Sequence, residues 1–190
     1  MGKSQLFCPR AHARHQRKRI DLNTTGHDPR ILETAPPLAL HWASEEDTAA
    51  FAQRLAALPA LRHAFIALHG ELGAGKTTFV RHLLRALGVA GRIKSPTYAV
   101  VEPHETPDGL AVSHFDFYRF SDPQEWEDAG FRDLFAAPGL KLAEWPDKAA
   151  ALLPAADLHL HLHPAADGTR HAALHAATPL GARIFQELNA

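Results

Sequence analysis

The sequence predicts an α/β domain in which a mainly parallel central sheet is flanked by helices and followed by a late antiparallel hairpin. A short continuous apolar run, Ala64–His69, suits a strand buried on both faces, and Leu140–Glu144 reads as another strand closed by Trp145-Pro146. Segments with apolar residues at helical spacing separate such runs. Near the C-terminus, the alternating stretches Asp157–His163 and Thr169–Ala176 flank Ala165-Ala166-Asp167-Gly168, a hairpin signal.

Leu38–Trp42 reads as a first strand. Ser44 then offers an N-cap, with Glu45, Glu46 and Asp47 at the positive end of a helix that stops before Pro59. Residues 76–87 form a second helix with Phe79, Val80, Leu83, Leu84 and Leu87 on one side and Gly88 past its end. Tyr98–Glu102 and Leu110–Asp116 read as strands joined around Thr106-Pro107-Asp108-Gly109. Asp122–Ala129 reads as a short acidic helix, and a final helix spans about 180–188.

The 190 residues are 46% hydrophobic, enough for one domain core but not two. Lys and Arg total 20 against 21 Asp and Glu, so no overall basic balance points to direct nucleic-acid binding. Charge is uneven, however: residues 1–33 carry seven basic and three acidic side chains, which leaves the remainder at −5. Segment 1–37 lacks periodicity, has few large apolar residues and ends in Pro36-Pro37, so it reads as a basic, disordered extension to a domain spanning 38–190. The single cysteine, Cys8, excludes a disulfide framework, and no apolar run approaches the roughly 18 residues of a membrane span. These features suggest a soluble protein of a reducing compartment, the cytoplasm.

Gly70-Glu71-Leu72-Gly73-Ala74-Gly75-Lys76-Thr77 fits G-x-x-x-x-G-K-[ST], between an apolar strand and an amphipathic helix. Glycines let the backbone curl so that successive N–H groups point at phosphate oxygens, and the following helix adds its positive end. Lys76 supplies a cation for the β- and γ-phosphates, and Thr77 a hydroxyl for Mg²⁺. The motif predicts a P-loop nucleotide-binding domain. No N-K-x-D box surrounds either asparagine, Asn23 or Asn189, so ATP is the expected nucleotide rather than GTP.

Such sites use a carboxylate at a strand end to orient the metal or its water. Two qualify: Asp116, closing Val112-Ser113-His114-Phe115-Asp116, and Glu144, closing Leu140-Lys141-Leu142-Ala143-Glu144. The residues alone leave open which of them touches magnesium.

Gly70–Thr78, then Lys94-Ser95-Pro96-Thr97-Tyr98, then His114-Phe115-Asp116-Phe117-Tyr118-Arg119, then Glu144-Trp145-Pro146, in that order, resemble the signature of the TsaE family, also called YjeE. The resemblance covers about residues 38–175 and does not extend to the tail. It implies a P-loop NTPase fold and Mg²⁺-dependent ATP hydrolysis. It also implies action with the TsaB–TsaD pair in placing threonylcarbamoyl on adenosine 37 of tRNAs that read codons starting with A, the tRNA being reached through the complex.

By the same resemblance, Lys76, Asp116 and Glu144 are the catalytic residues, and Thr77 with Glu144 holds Mg²⁺. Gly73, Ala74, Gly75, Lys76, Thr77 and Thr78 hold the nucleotide, joined by Thr48 and Arg170, and Ser95-Pro96-Thr97 corresponds to a switch segment. Phe117 departs from the usual leucine, and Ala143 from a bulkier aliphatic, without removing a reacting group.

Two other functions use the same loop. A small-molecule kinase needs an Arg-rich lid that the sequence does not offer, and a nucleotide-gated binding module needs no turnover. For Trp145 the sequence favours core packing over base stacking, and for Arg119 a solvated position. His159, His161 and His163 alternate with leucines, so their imidazoles share one strand face, which His171 or His175 can join. A solvated face outweighs a zinc site there.

Overall fold

The computed structural model describes residues 36–189, so the expectations for the basic extension lie outside the described residues except at Pro36 and Pro37. β1 (Leu38–Trp42) leads into α1 (Glu45–Ala56). The Ser44 N–H donates to the Asp47 carboxylate at 3.0 Å, and three acidic residues occupy the helix's positive first turn. A 3₁₀ turn (Pro59–His63) precedes β2 (Phe65–His69), which runs through the phosphate-loop motif into α2 (Lys76–Ala86). The hairpin of β3 (Val101–Glu105) and β4 (Ala111–Asp116) turns at Thr106–Gly109, as its sequence predicts. α3 (Pro123–Asp128) and α4 (Phe131–Ala136) follow, then β5 (Leu140–Glu144), a 3₁₀ turn (Pro146–Ala149), β6 (Leu158–Pro164), β7 (Arg170–Ala176) and α5 (Pro179–Leu188).

The seven strands of the described residues form one sheet in the order β1-β7-β6-β2-β5-β4-β3. Its centre, β6-β2-β5-β4, is parallel; β3 and β7 run against it at either side, and β1, antiparallel to β7, runs with it again. The α/β class, the parallel centre of the sheet and the late antiparallel hairpin are as expected, and the edge pairings make the sheet as a whole mixed. Both arms are built from hairpins (β3–β4 and β6–β7), whose short turns force antiparallel pairing.

Alternation along the strands divides the apolar residues between two cores. Ile66, Leu68, Val112, Leu140, Leu142, Leu158 and Leu160 face the first, with Phe51 and Leu55 from α1, Phe79 and Leu83 from α2 and Ile184 from α5. Phe65, Ala67, Phe115 and Ala143 face the second, with Trp126 from α3 and Phe131 from α4. Each fully buried Leu or Phe contributes roughly 1.5–3 kcal/mol.

Two local expectations need correction. The strand expected at Tyr98–Glu102 begins at Val101, because Val100 is left-handed (φ 64°) and its N–H closes a turn onto the Pro96 carbonyl at 2.7 Å. The acidic helix is followed by α4, which the sequence reading did not anticipate; Gly130 (φ 65°) separates the two.

Candidate functional site

β2, β4 and β5 are parallel neighbours, so their C-terminal ends open at one sheet edge, where open α/β sheets gather their ligands. A cleft of about 390 Å³ lies there. Gly73, Gly75, Lys76, Thr77 and Thr78 line it from the loop and α2, Asp116 and Glu144 from the strand ends, and Arg170 from β7. Ala74 is buried within the loop, its N–H donating to the Glu71 carbonyl at 3.1 Å. Thr48 is buried in α1 and is not among the cleft-lining residues.

The loop holds its shape through close approaches. Gly70 has φ +140°, and a Cβ there would stand 2.4 Å from the Leu162 carbonyl oxygen. Gly75 (φ +104°) caps α2, and its missing side chain makes room for Arg170, whose Nε would be 3.0 Å from a Cβ. That Nε is buried and has no hydrogen-bond partner among the described residues, which leaves a cationic donor available inside the cleft.

Lys76 is buried, and burial pushes its ammonium below the ordinary lysine pKa while Glu144 and Asp116 pull it back up. Its Nζ donates to the Gly70 and Glu71 carbonyls at 2.7 and 2.9 Å and lies 3.9 Å from the Trp145 ring centroid. Trp145 therefore does more than fill the core: half-buried against the second core, it also lines the cleft and meets Tyr118, with ring centroids 5.0 Å apart. It is left-handed, φ 56°, immediately after Glu144.

The two carboxylates are directly paired in the β4–β5 register. Glu144 accepts the Thr77 hydroxyl, with both carboxylate oxygens at 2.9 Å, and His114 Nε2 lies 2.9 Å from Oε1. Asp116 Oδ2 accepts Ser95 Oγ and Thr97 Oγ1, each at 2.6 Å, while Oδ1 accepts the Tyr118 N–H at 3.0 Å. The set combines a buried cation, a hydroxyl and two carboxylates. These are groups suited to a polyanionic phosphate chain and to a hard, oxygen-binding cation.

Sequence reasoning did not anticipate His114 at the site, although it lies two residues before Asp116 on the same strand face. Nor did it anticipate Leu72, 75% exposed at the loop's tip, or the guanidinium of Arg119 packing 4.4 Å from the Tyr98 ring centroid. The alternating histidines do share a face: His69 Nε2 lies 3.0 Å from His159 Nδ1, and the His161 and His175 rings are 5.2 Å apart. Among the described residues, no group of three or more His, Cys, Asp or Glu side chains is arranged to hold a metal ion, and no helix is long and apolar enough to cross a membrane.

Residues 42–172 match the family described as threonylcarbamoyl adenosine biosynthesis protein TsaE. The tRNA threonylcarbamoyladenosine biosynthesis protein TsaE of Haemophilus influenzae is 40% identical over 135 residues, covering 71% of this chain and 84% of that protein. Its namesake from Bacillus subtilis is 35% identical over 134 residues, covering 69% and 82%. The crystal structure of Bacillus subtilis YdiB shares the fold at a TM-score of 0.65 and 27% identity, over 80% of this chain and 94% of that one. With the phosphate-loop residues, the paired carboxylates and strands β2 to β6 all inside the matched region, the chain belongs to the TsaE family.

Proposed function

We propose that the protein is a Mg²⁺-dependent ATPase of tRNA threonylcarbamoyladenosine biosynthesis, acting in the cytoplasm with the TsaB and TsaD proteins, which handle the tRNA. The observation that carries this reading is the meeting of Lys76, Thr77 and Glu144 in one cleft of a chain from this family. Lys76 offsets phosphate charge, assisted by Arg170, while the backbone of Gly73, Ala74 and Gly75 curls around the phosphates and Thr78 lines their entry. Thr77 and Glu144 hold Mg²⁺, which supplies charge neutralisation on the phosphates when bound. Asp116 keeps the Ser95 and Thr97 hydroxyls at the same cleft, so nucleotide state is sensed by the 94–98 segment. Thr48, buried in α1, is kept as a nucleotide-contacting position on the strength of the family resemblance.

The acidic balance of residues 34–190 supports a division of labour in which partners, rather than this chain, contact RNA. Purified chain, TsaB, TsaD, tRNA and the threonylcarbamoyl donor test the proposal under multiple turnover. Expected are ATP turnover and modified tRNA with the unaltered chain, and loss of both with Lys76→Ala. Undiminished tRNA product with Lys76→Ala overturns the proposal.

A further inference from the structure

His114 is fully buried on β4, sharing its face with apolar Val112 two residues before it and Leu142 directly across the ladder, and with Asp116 two residues after it and Glu102 opposite on β3. A leucine there would continue the core. The imidazole instead carries two ring nitrogens out of water, and among the described residues only one has a partner. Nε2 lies 2.9 Å from Glu144 Oε1, while Nδ1 has no hydrogen-bond partner. The nearest polar ring is that of His104 on edge strand β3, 6.5 Å away between centroids. Because an ionised carboxylate only accepts hydrogen bonds, the network assigns the proton to Nε2.

Glu144 is also buried, and rotation about its terminal torsion is the freedom a long carboxylate retains at a strand end. Thr77 does not restrain that rotation in one sense, since its hydroxyl stands 2.9 Å from each oxygen. His114 does, because it engages Oε1 alone. Carboxylates that ligate metal ions are themselves held by hydrogen bonds from behind, and losing such a partner typically weakens metal affinity by about 10–100-fold.

We propose that His114 is a positioning residue. Its Nε2–H pins Oε1 of Glu144 so that the carboxylate is presented to the cation beside Thr77 in a single orientation. The inference rests on Glu144 and Thr77 holding magnesium, as proposed above.

Three variants of the full chain test it: His114→Gln, His114→Asn and His114→Leu. The Gln amide nitrogen reaches the place of Nε2, whereas the Asn amide, one methylene shorter, reaches only that of Nδ1. Leu keeps the layer apolar and provides a second donor-free chain should Asn impair folding, which thermal melting reports. ATP affinity is measured by calorimetry with excess chelator and again with Mg²⁺.

Chelator-condition affinity is expected to stay within about twofold across the folded variants, because His114 does not line the cleft. The gain on adding Mg²⁺ is expected to fall by about tenfold in Asn and Leu and to stay within about threefold of the unaltered chain in Gln. A folded donor-free variant with the full Mg²⁺ gain overturns the inference, as does equal loss in Gln and the donor-free chains. An unaltered chain that binds ATP without any Mg²⁺ gain instead overturns the assignment of Thr77 and Glu144, and the role of His114 with it.

Discussion

Asp116 and Glu144 sit opposite one another at the ends of adjacent parallel strands, yet their carboxylates engage different partners. Asp116 accepts Ser95 and Thr97 from the loop before β3, and Glu144 accepts Thr77 from the first turn of α2. Two acids that sequence alone leaves interchangeable are separated by what their neighbours donate.

Glu144→Gln tests the metal-holding half of this division. The amide keeps the size of the side chain but removes its charge, so ATP is still bound while phosphate release slows by about a hundredfold. Single-turnover phosphate release beside calorimetric ATP affinity distinguishes this from simple loss of binding. Unchanged turnover would contradict the assignment.

Asp116→Ala tests the other half. It leaves the Ser95 and Thr97 hydroxyls and the Tyr118 N–H without their acceptor. Losing charge-assisted bonds of this kind raises local opening, so amide hydrogen exchange across 94–98 is expected to quicken by about tenfold or more. The β6–β7 hairpin, on the other side of β2, provides the internal control and is expected to exchange as before.

Gly70→Ala places a methyl against backbone rather than against a flexible side chain, 2.4 Å from the Leu162 carbonyl oxygen and at φ +140°. Either β6 or the phosphate loop must shift. A loss of roughly 2–3 kcal/mol is expected, read as a lower urea midpoint with an unchanged slope, together with weakened ATP binding.

Histidine titration sets the pH dependence of stability. The His161 pKa is pushed down to about 4, by burial first and then by His69, His175, His159 and His163. His159 is lowered for similar reasons, burial ahead of His69 and His175, with Asp147 opposing. Folded His161 therefore resists a proton that the unfolded chain accepts near its ordinary value of about 6.5. The stability this group leaves intact is present above that value and is lost progressively as pH falls towards about 4. Urea midpoints are expected to drop between about pH 7.5 and about pH 5, and to drop less in His161→Gln. A midpoint that rises over this interval would contradict the reading.

The phosphate loop, its flanking strand and helix, and the final hairpin were legible because their signals are local: glycines at fixed offsets, continuous apolar runs, and alternation. The contacts around Glu144 were not, because they depend on strand register. Only the β4–β5 alignment brings His114 beside Leu142 and Asp116 beside Glu144, and spacing along a single strand carries no information about a partner some 30 residues away. The late start of β3 has a different cause: the sequence favours extension through Tyr98–Val101, and the left-handed turn at Val100 overrides it. The place of Lys76 over the Trp145 ring likewise depends on how loop and strand end meet in space.

Among the described residues, the two non-glycine residues with positive φ, Val100 and Trp145, stand where the chain leaves the Ser95–Thr97 segment and Glu144. A β-branched or bulky aromatic side chain in that conformation is held against its own preference, at roughly 1–3 kcal/mol each. Glycine at either position relaxes the main chain but gives up the packing of that side chain against the second core, and at Trp145 the ring beside Lys76 as well. Glycine variants are expected to perform worse as catalysts without surviving higher temperatures, because relaxation at either point frees the adjoining acid or hydroxyls from the place that folding gives them.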